Sequence, residues 1–94
     1  MLSKIPIDLE KVDKKNLDAE ILRVGLIAEL DAINLYEQMA ALAQDEHIKA
    51  VLLDIAKEEK THVGEFQALL LNRDEEQVRE LEAGQKEVKK ETGE

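Results

Sequence analysis

The chain has 94 residues, with one Phe, one Tyr, no Trp and no Cys, and 13 basic against 22 acidic side chains give a net charge of −9. That length allows one small domain with a core barely sufficient by itself. The lack of cysteine excludes disulfides, thiol catalysis and cysteine-based zinc sites. The acidic balance argues against nucleic acid as a partner. No basic amphipathic face and no apolar run of transmembrane length point to a membrane, whereas a negative surface concentrates cations. The start, Met1-Leu2-Ser3-Lys4-Ile5-Pro6, lacks the apolar stretch of a secretory signal, so a soluble intracellular protein is expected.

Charged residues make up 37% of the chain against a norm of about 25%, and the apolar ones are chiefly Leu, Ile, Val and Ala, which is the composition of helices. Taken in order, residues 1–15 read as an extended, charged lead-in containing Pro6. Asn16 is the expected N-cap of a first helix over 17–43, with Asp18 in its first turn to complement the helix dipole. Gln44, Asp45 and Glu46 leave room only for a tight connection, and Asp45 can cap a second helix over 46–71. Asn72 and Arg73 end it. Asp74 then caps a short third helix over 75–83, rich in Glu and closed by Gly84. The tail 85–94 has helical composition but a single apolar residue, Val88, so it is expected to be marginal.

Two helices of about 26 residues, each about 39 Å long, joined by so short a link must run antiparallel as a hairpin. Helix 1 is apolar on more than one side, because Ile21, Val24, Ile27 and Leu35 lie off its main stripe. Two helices cannot cover that surface. The expected fold class is therefore all-α: a two-helix hairpin with a short third helix, completing a four-helix bundle by dimerisation.

Both long helices carry ionisable residues where leucine would be ordinary. In helix 2 the inward positions run Ile48, Leu52, Ile55, Glu59, His62, Phe66 and Leu69, spaced by fours and threes. Glu59 and His62 form Glu-x-x-His, one turn apart on one face. In helix 1, Leu22, Gly25, Leu26, Glu29, Ala32, Ile33, Tyr36 and Ala40 share a face, with Glu29 at its centre. An uncompensated carboxylate in such a seam costs several kcal/mol, so a positive group is expected to offset it. A Glu-x-x-His pair alone is weak, since many helices carry one facing solvent. Here it occupies the seam, and an antiparallel hairpin brings Glu29 level with it.

One chain thus offers Glu29, Glu59 and His62 as metal ligands. Two chains related by a two-fold offer four carboxylates and two imidazoles, the ligand set of di-iron carboxylate bundles, and four carboxylates balance two divalent ions. The oxygen-rich set with imidazole suits Fe or Mn, while Zn can bind but brings no redox chemistry. His47, beside Asp45 and Glu46, reads as a surface histidine at a helix start, and Met39 as packing material.

The segment Ile-Ala-Glu-Leu-Asp-Ala-Ile-Asn-Leu-Tyr-Glu-Gln (27–38), followed by Glu-Glu-Lys-Thr-His-Val-Gly-Glu-Phe (58–66), resembles the rubrerythrin branch of the ferritin-like superfamily. Within it the chain is similar to the two-helix encapsulated ferritins over about residues 17–83. The resemblance implies two hairpins joined across a two-fold into a ferroxidase site, with dimers assembled into a ring as cargo of an encapsulin shell. It implies that Glu29, Glu59 and His62 are iron ligands, contributed twice, so that two iron ions serve each subunit pair, with Mn, Zn or Ca as substitutes. Tyr36 would stand beside the ligands, as the family carries a tyrosine there. Asp31 and Glu58 resemble acidic residues that lead iron inward in relatives, although surface charge flanks each and a solvated face is the plainer reading. Leu35 replaces a large aromatic and Ala28 an acid found in some relatives. The ending Lys-Glu-Thr-Gly-Glu is no apolar targeting tail, which fits either a shortened cargo protein or the N-terminal domain of a shell fusion.

The expected reaction is oxidation of Fe(II) by O2 at a centre shared by two subunits, for storage inside the compartment. The rivals are peroxide reduction at a rubrerythrin-like site, which usually comes with a cysteine-bearing electron-delivery domain, and a non-catalytic helical assembly module whose Glu and His set register.

Overall fold

The structure is a computed structural model that describes Lys11 and residues 13–94. Most of the expected lead-in, residues 1–10 and 12, lies outside the described residues. Three helices follow in order: α1 over Lys14–Leu42, α2 over Glu46–Leu71 and α3 over Glu75–Thr92. No helix among the described residues is long and apolar enough to cross a membrane.

Helix α1 begins earlier than its Asn16 cap signal indicates. Asp13 is the N-cap, without a side-chain cap bond, and the Asn16 N–H donates to the Asp13 carbonyl at 2.9 Å. Lys14 and Lys15 are good helix formers, and extending the helix through them outweighs the weak preference of one asparagine. Asp18 consequently falls beyond the first turn, which holds no acid. The second start is fully capped: the Asp45 carboxylate accepts from the backbone N–H groups of His47 at 2.8 Å and Ile48 at 3.0 Å. At the end of α2, the Arg73 guanidinium donates to the Leu69 carbonyl at 2.9 Å, satisfying one of the orphaned last-turn acceptors.

Asp74 caps α3 through the Gln77 N–H at 3.0 Å and also receives the Arg23 guanidinium from α1 at 2.9 Å. The Gln77 bond first, and then Arg23, hold its carboxyl below the ordinary range. The third helix does not stop at Gly84. It continues to Thr92 and ends on Gly93, which has φ 83 and donates its N–H to the Lys89 carbonyl at 2.9 Å. Gly84 lacks the left-handed backbone that terminates a helix. Its cost of about 1 kcal/mol is offset by the helix formers around it, by the Glu82 to Lys86 spacing, and by Lys89 and Lys90 in the last turn.

Packing is almost all between α1 and α2, with α3 touching α2 slightly. The radius of gyration is 16.5 Å, against about 12 Å for a compact chain of this length, because α3 departs from the hairpin. On α1 the buried apolar residues are Leu22, Ile33 and Ala40, all from the expected stripe. On α2 they are Ala56 and Leu70, so the face against α1 is rotated from the expected seam. Ile48 and Leu69, from that seam, remain 56% and 45% exposed. A single partner helix covers only half of a two-sided seam. The uncovered half also carries Ile21, Met39 and Val51, a larger exposed apolar surface than scattered single residues explain.

Candidate metal centre

Glu29 comes from the middle of α1, and Glu59 and His62 come from the middle of α2. One ligand atom from each lies within 4.8 Å of the other two. His62 Nδ1 stands 3.4 Å from Glu59 Oε2 and 3.5 Å from Glu29 Oε2. Both distances are long for hydrogen bonds. They are natural for donors arranged around a common point, because two atoms each about 2.1 Å from one cation lie about 3.0–3.5 Å apart.

Burial strengthens the reading. The side chains of Glu29 and Glu59 are only 18% and 19% exposed, and that of His62 is 44% exposed. Glu29 Oε2 is buried and has no hydrogen-bond partner. A desolvated acceptor left unpaired costs about 1–3 kcal/mol, and a charged one costs more. The donor set, two carboxylates and an imidazole, fits a divalent cation such as Fe(II) or Mn(II) and satisfies the orphaned oxygen. A pocket of about 320 Å³ adjoins the group, lined by Glu29, His62, Glu65, Phe66 and Leu69. It opens on the half of the seam that α1 leaves uncovered.

The other expected residues are placed differently. Asp31 is not on a solvated face; it is buried at 8% exposure. Two positions from Glu29, it sits on a side of α1 turned about 160° away, which separates it from the group. Glu58 is exposed and outside the group. Tyr36 is half-buried on the Glu29 face, about 10 Å further along the helix axis. His47 is exposed at the start of α2, far along the helix from His62. Across the hairpin, Lys60 Nζ reaches Glu37 Oε2 at 3.1 Å, an exposed pair that contributes little to stability. Glu65 and the Gly25–Phe66 contact were not singled out by the pattern of residues. The signals available for the latter were a glycine inside an inward stripe and the only Phe of the chain.

With this geometry in hand, comparison with known proteins gives a consistent result. A family model described as EncFtn-like matches residues 5–83. The chain is 59% identical over 95 residues to a ferritin-like-encapsulin shell fusion protein of Pyrococcus furiosus, covering 99% of this chain and 28% of that protein. It is 38% identical over 70 residues to the encapsulin nanocompartment cargo protein EncC of Myxococcus xanthus, covering 71% of this chain and 54% of that one. The chain therefore spans from about a quarter to about half the length of these curated relatives. Among solved structures, the crystal structure of the encapsulated ferritin domain from Pyrococcus furiosus superposes with a TM-score of 0.86 at 57% identity, over 100% of this chain and 98% of that one. Three helices and no strand among the described residues, the convergent Glu and His group and these likenesses agree: the chain belongs to the EncFtn-like family, the encapsulated ferritins.

Proposed function

We propose that the chain oxidises Fe(II) to Fe(III) with O2 at a di-iron centre completed by two copies, and that it serves iron storage inside an encapsulin nanocompartment in the cytoplasm. The observation that carries this reading is the convergence of Glu29, Glu59 and His62 around Glu29 Oε2, a buried oxygen that accepts no hydrogen bond. Iron is the substrate, and when bound it supplies the electrons that reduce O2.

The protein's own contribution is positional. Glu29 offers an oxygen already stripped of water, so cation binding meets no further desolvation at that atom. Glu59 and His62, one turn apart on a rigid helix, hold their donors at a fixed separation. The group lies beside the open half of the apolar seam. A second copy placed there doubles the donors to four carboxylates and two imidazoles, covers the exposed Ile21, Met39, Val51 and Leu69, and excludes water from the centre. Dimers of this kind, assembled further into a ring, form the proposed working particle. Two relatives, a ferritin-like-encapsulin shell fusion protein and an encapsulin nanocompartment cargo protein, support an encapsulin shell as partner.

Tyr36 is proposed to stand near the completed centre, and Glu58 to attract cations on the outer surface. Oxygen uptake with Fe(II) tests the reading: consumption above that of iron in buffer, lost in Glu59→Ala, supports it. Turnover of peroxide with an external donor, in place of oxygen consumption, would favour the rubrerythrin-like rival.

A further inference from the structure

Gly25 lies one turn before Glu29 on the same face of α1, and Phe66 lies one turn after His62 on α2. A Cβ placed on Gly25 would stand 2.9 Å from Cε1, 3.0 Å from Cδ1 and 3.1 Å from Cζ of the Phe66 ring. Carbon atoms in contact sit about 3.5–4.0 Å apart, so even alanine at this position must displace the ring by about half an ångström or more. A Cβ at Gly25 pushes the ring away from α1. On one side it meets the backbone of α1, and on the other it lines the pocket it shares with Glu29 and His62.

The glycine has no conformational reason to be there. Its φ is not positive, and glycine inside a helix costs about 0.5–1 kcal/mol relative to alanine. The recess it leaves for the aromatic ring accounts for it. We propose that Gly25 and Phe66 are a positioning pair for the metal centre: the recess on α1 holds the Phe66 ring clear of the space where Glu29 and His62 meet the cation. This inference rests on the metal reading above. It adds to that reading the pair that sets the width of the pocket on its apolar side. Neither residue donates to the metal, so both act through the ligands they position.

The test uses Co(II), whose visible absorption reports the number and arrangement of its ligands, added to the whole chain. Gly25→Ala is expected to keep its helix content and its mass in solution while binding Co(II) about tenfold or more weakly, with an altered visible spectrum. Phe66→Leu removes the ring and with it the need for the recess. In that background the Gly25→Ala change is expected to alter Co(II) affinity by less than about twofold, because the coupling between the two positions is gone. This second comparison stands by itself if Gly25→Ala alone fails to fold. Wild-type affinity and spectrum in Gly25→Ala would overturn the proposal, as would a large further loss in the Phe66→Leu background. A wild-type chain that takes up no Co(II) is a different result: it overturns the metal reading, and this inference with it.

Discussion

His62 Nδ1 and Glu29 Oε2 stand 3.5 Å apart across the hairpin, joining the midpoints of two antiparallel helices. The separation is too long for a good hydrogen bond and suits two donors to one cation. The contact exists because the link between α1 and α2 is short and Asp45 fixes where α2 starts. A shift of one residue in either helix turns its ligand by about 100° and separates the pair.

Glu29→Ala, Glu59→Ala and His62→Ala are each expected to lose nearly all iron oxidation above the background of Fe(II) in air. The metal-free variants should keep their helices, and Glu29→Ala should melt at or above the wild-type temperature, because it removes a buried oxygen that accepts no hydrogen bond. Oxygen uptake beside thermal melts followed by circular dichroism reads both effects. Full activity in Glu59→Ala or His62→Ala would leave the assembly-module reading in its place.

His47→Ala and Glu76→Ala serve as controls. Both residues are exposed and outside the group, so oxygen uptake should stay close to wild type. A severe loss in either would mean that the chemistry lies elsewhere.

Divalent metal should promote assembly. If the cation binds only where two copies meet, free metal at about 100 times its dissociation constant stabilises the assembled state by about 2.7 kcal/mol. Light scattering on dilute protein should show a rise in mass on adding Fe(II) without oxygen, or Mn(II) as an inert mimic. An unchanged mass would contradict a centre shared between chains.

The junction of α3 should be sensitive to acid. The Gln77 N–H, and then Arg23, lower the Asp74 carboxyl from its ordinary value of 3.8, so its contribution is complete above that pH and is lost as the pH falls further. Asp74→Asn keeps a capping oxygen but not the charge. Helicity followed from about pH 6 to pH 2 should therefore lose part of its acid limb in Asp74→Asn relative to wild type. An identical acid limb in the two proteins would show that the Arg23–Asp74 pair does not steady α3.

Much of this was legible in the residues, and the failures have physical causes. Glu29, Glu59 and His62 stood out because ionisable side chains interrupted apolar stripes at helical spacing, and helix geometry alone places such residues on one face. The Asp45 and Asp74 caps were readable for a similar reason, since capping is local chemistry. The end of α3 was not. Gly84 resembles a stop, and only the sum of weak helix-favouring contributions on both sides shows that it is passed over. The rotation of α2 toward Ala56 and Leu70 was also hidden, because a stripe wide enough for two partners does not say which half meets which. Asp31, flanked by charge in the chain, reads as a solvated position, yet it is only 8% exposed, because burial is not set by the character of chain neighbours.

The most direct measurement is a titration of the metal-free protein with Fe(II) in the absence of oxygen, followed by admission of air, with ferric absorbance and particle mass recorded together. A centre shared by two chains should saturate at about one iron per chain in a species of at least two chains, with rapid growth of ferric absorbance on exposure to air. Saturation of a closed site within a single chain, or ferric absorbance growing no faster than in buffer alone, would contradict it.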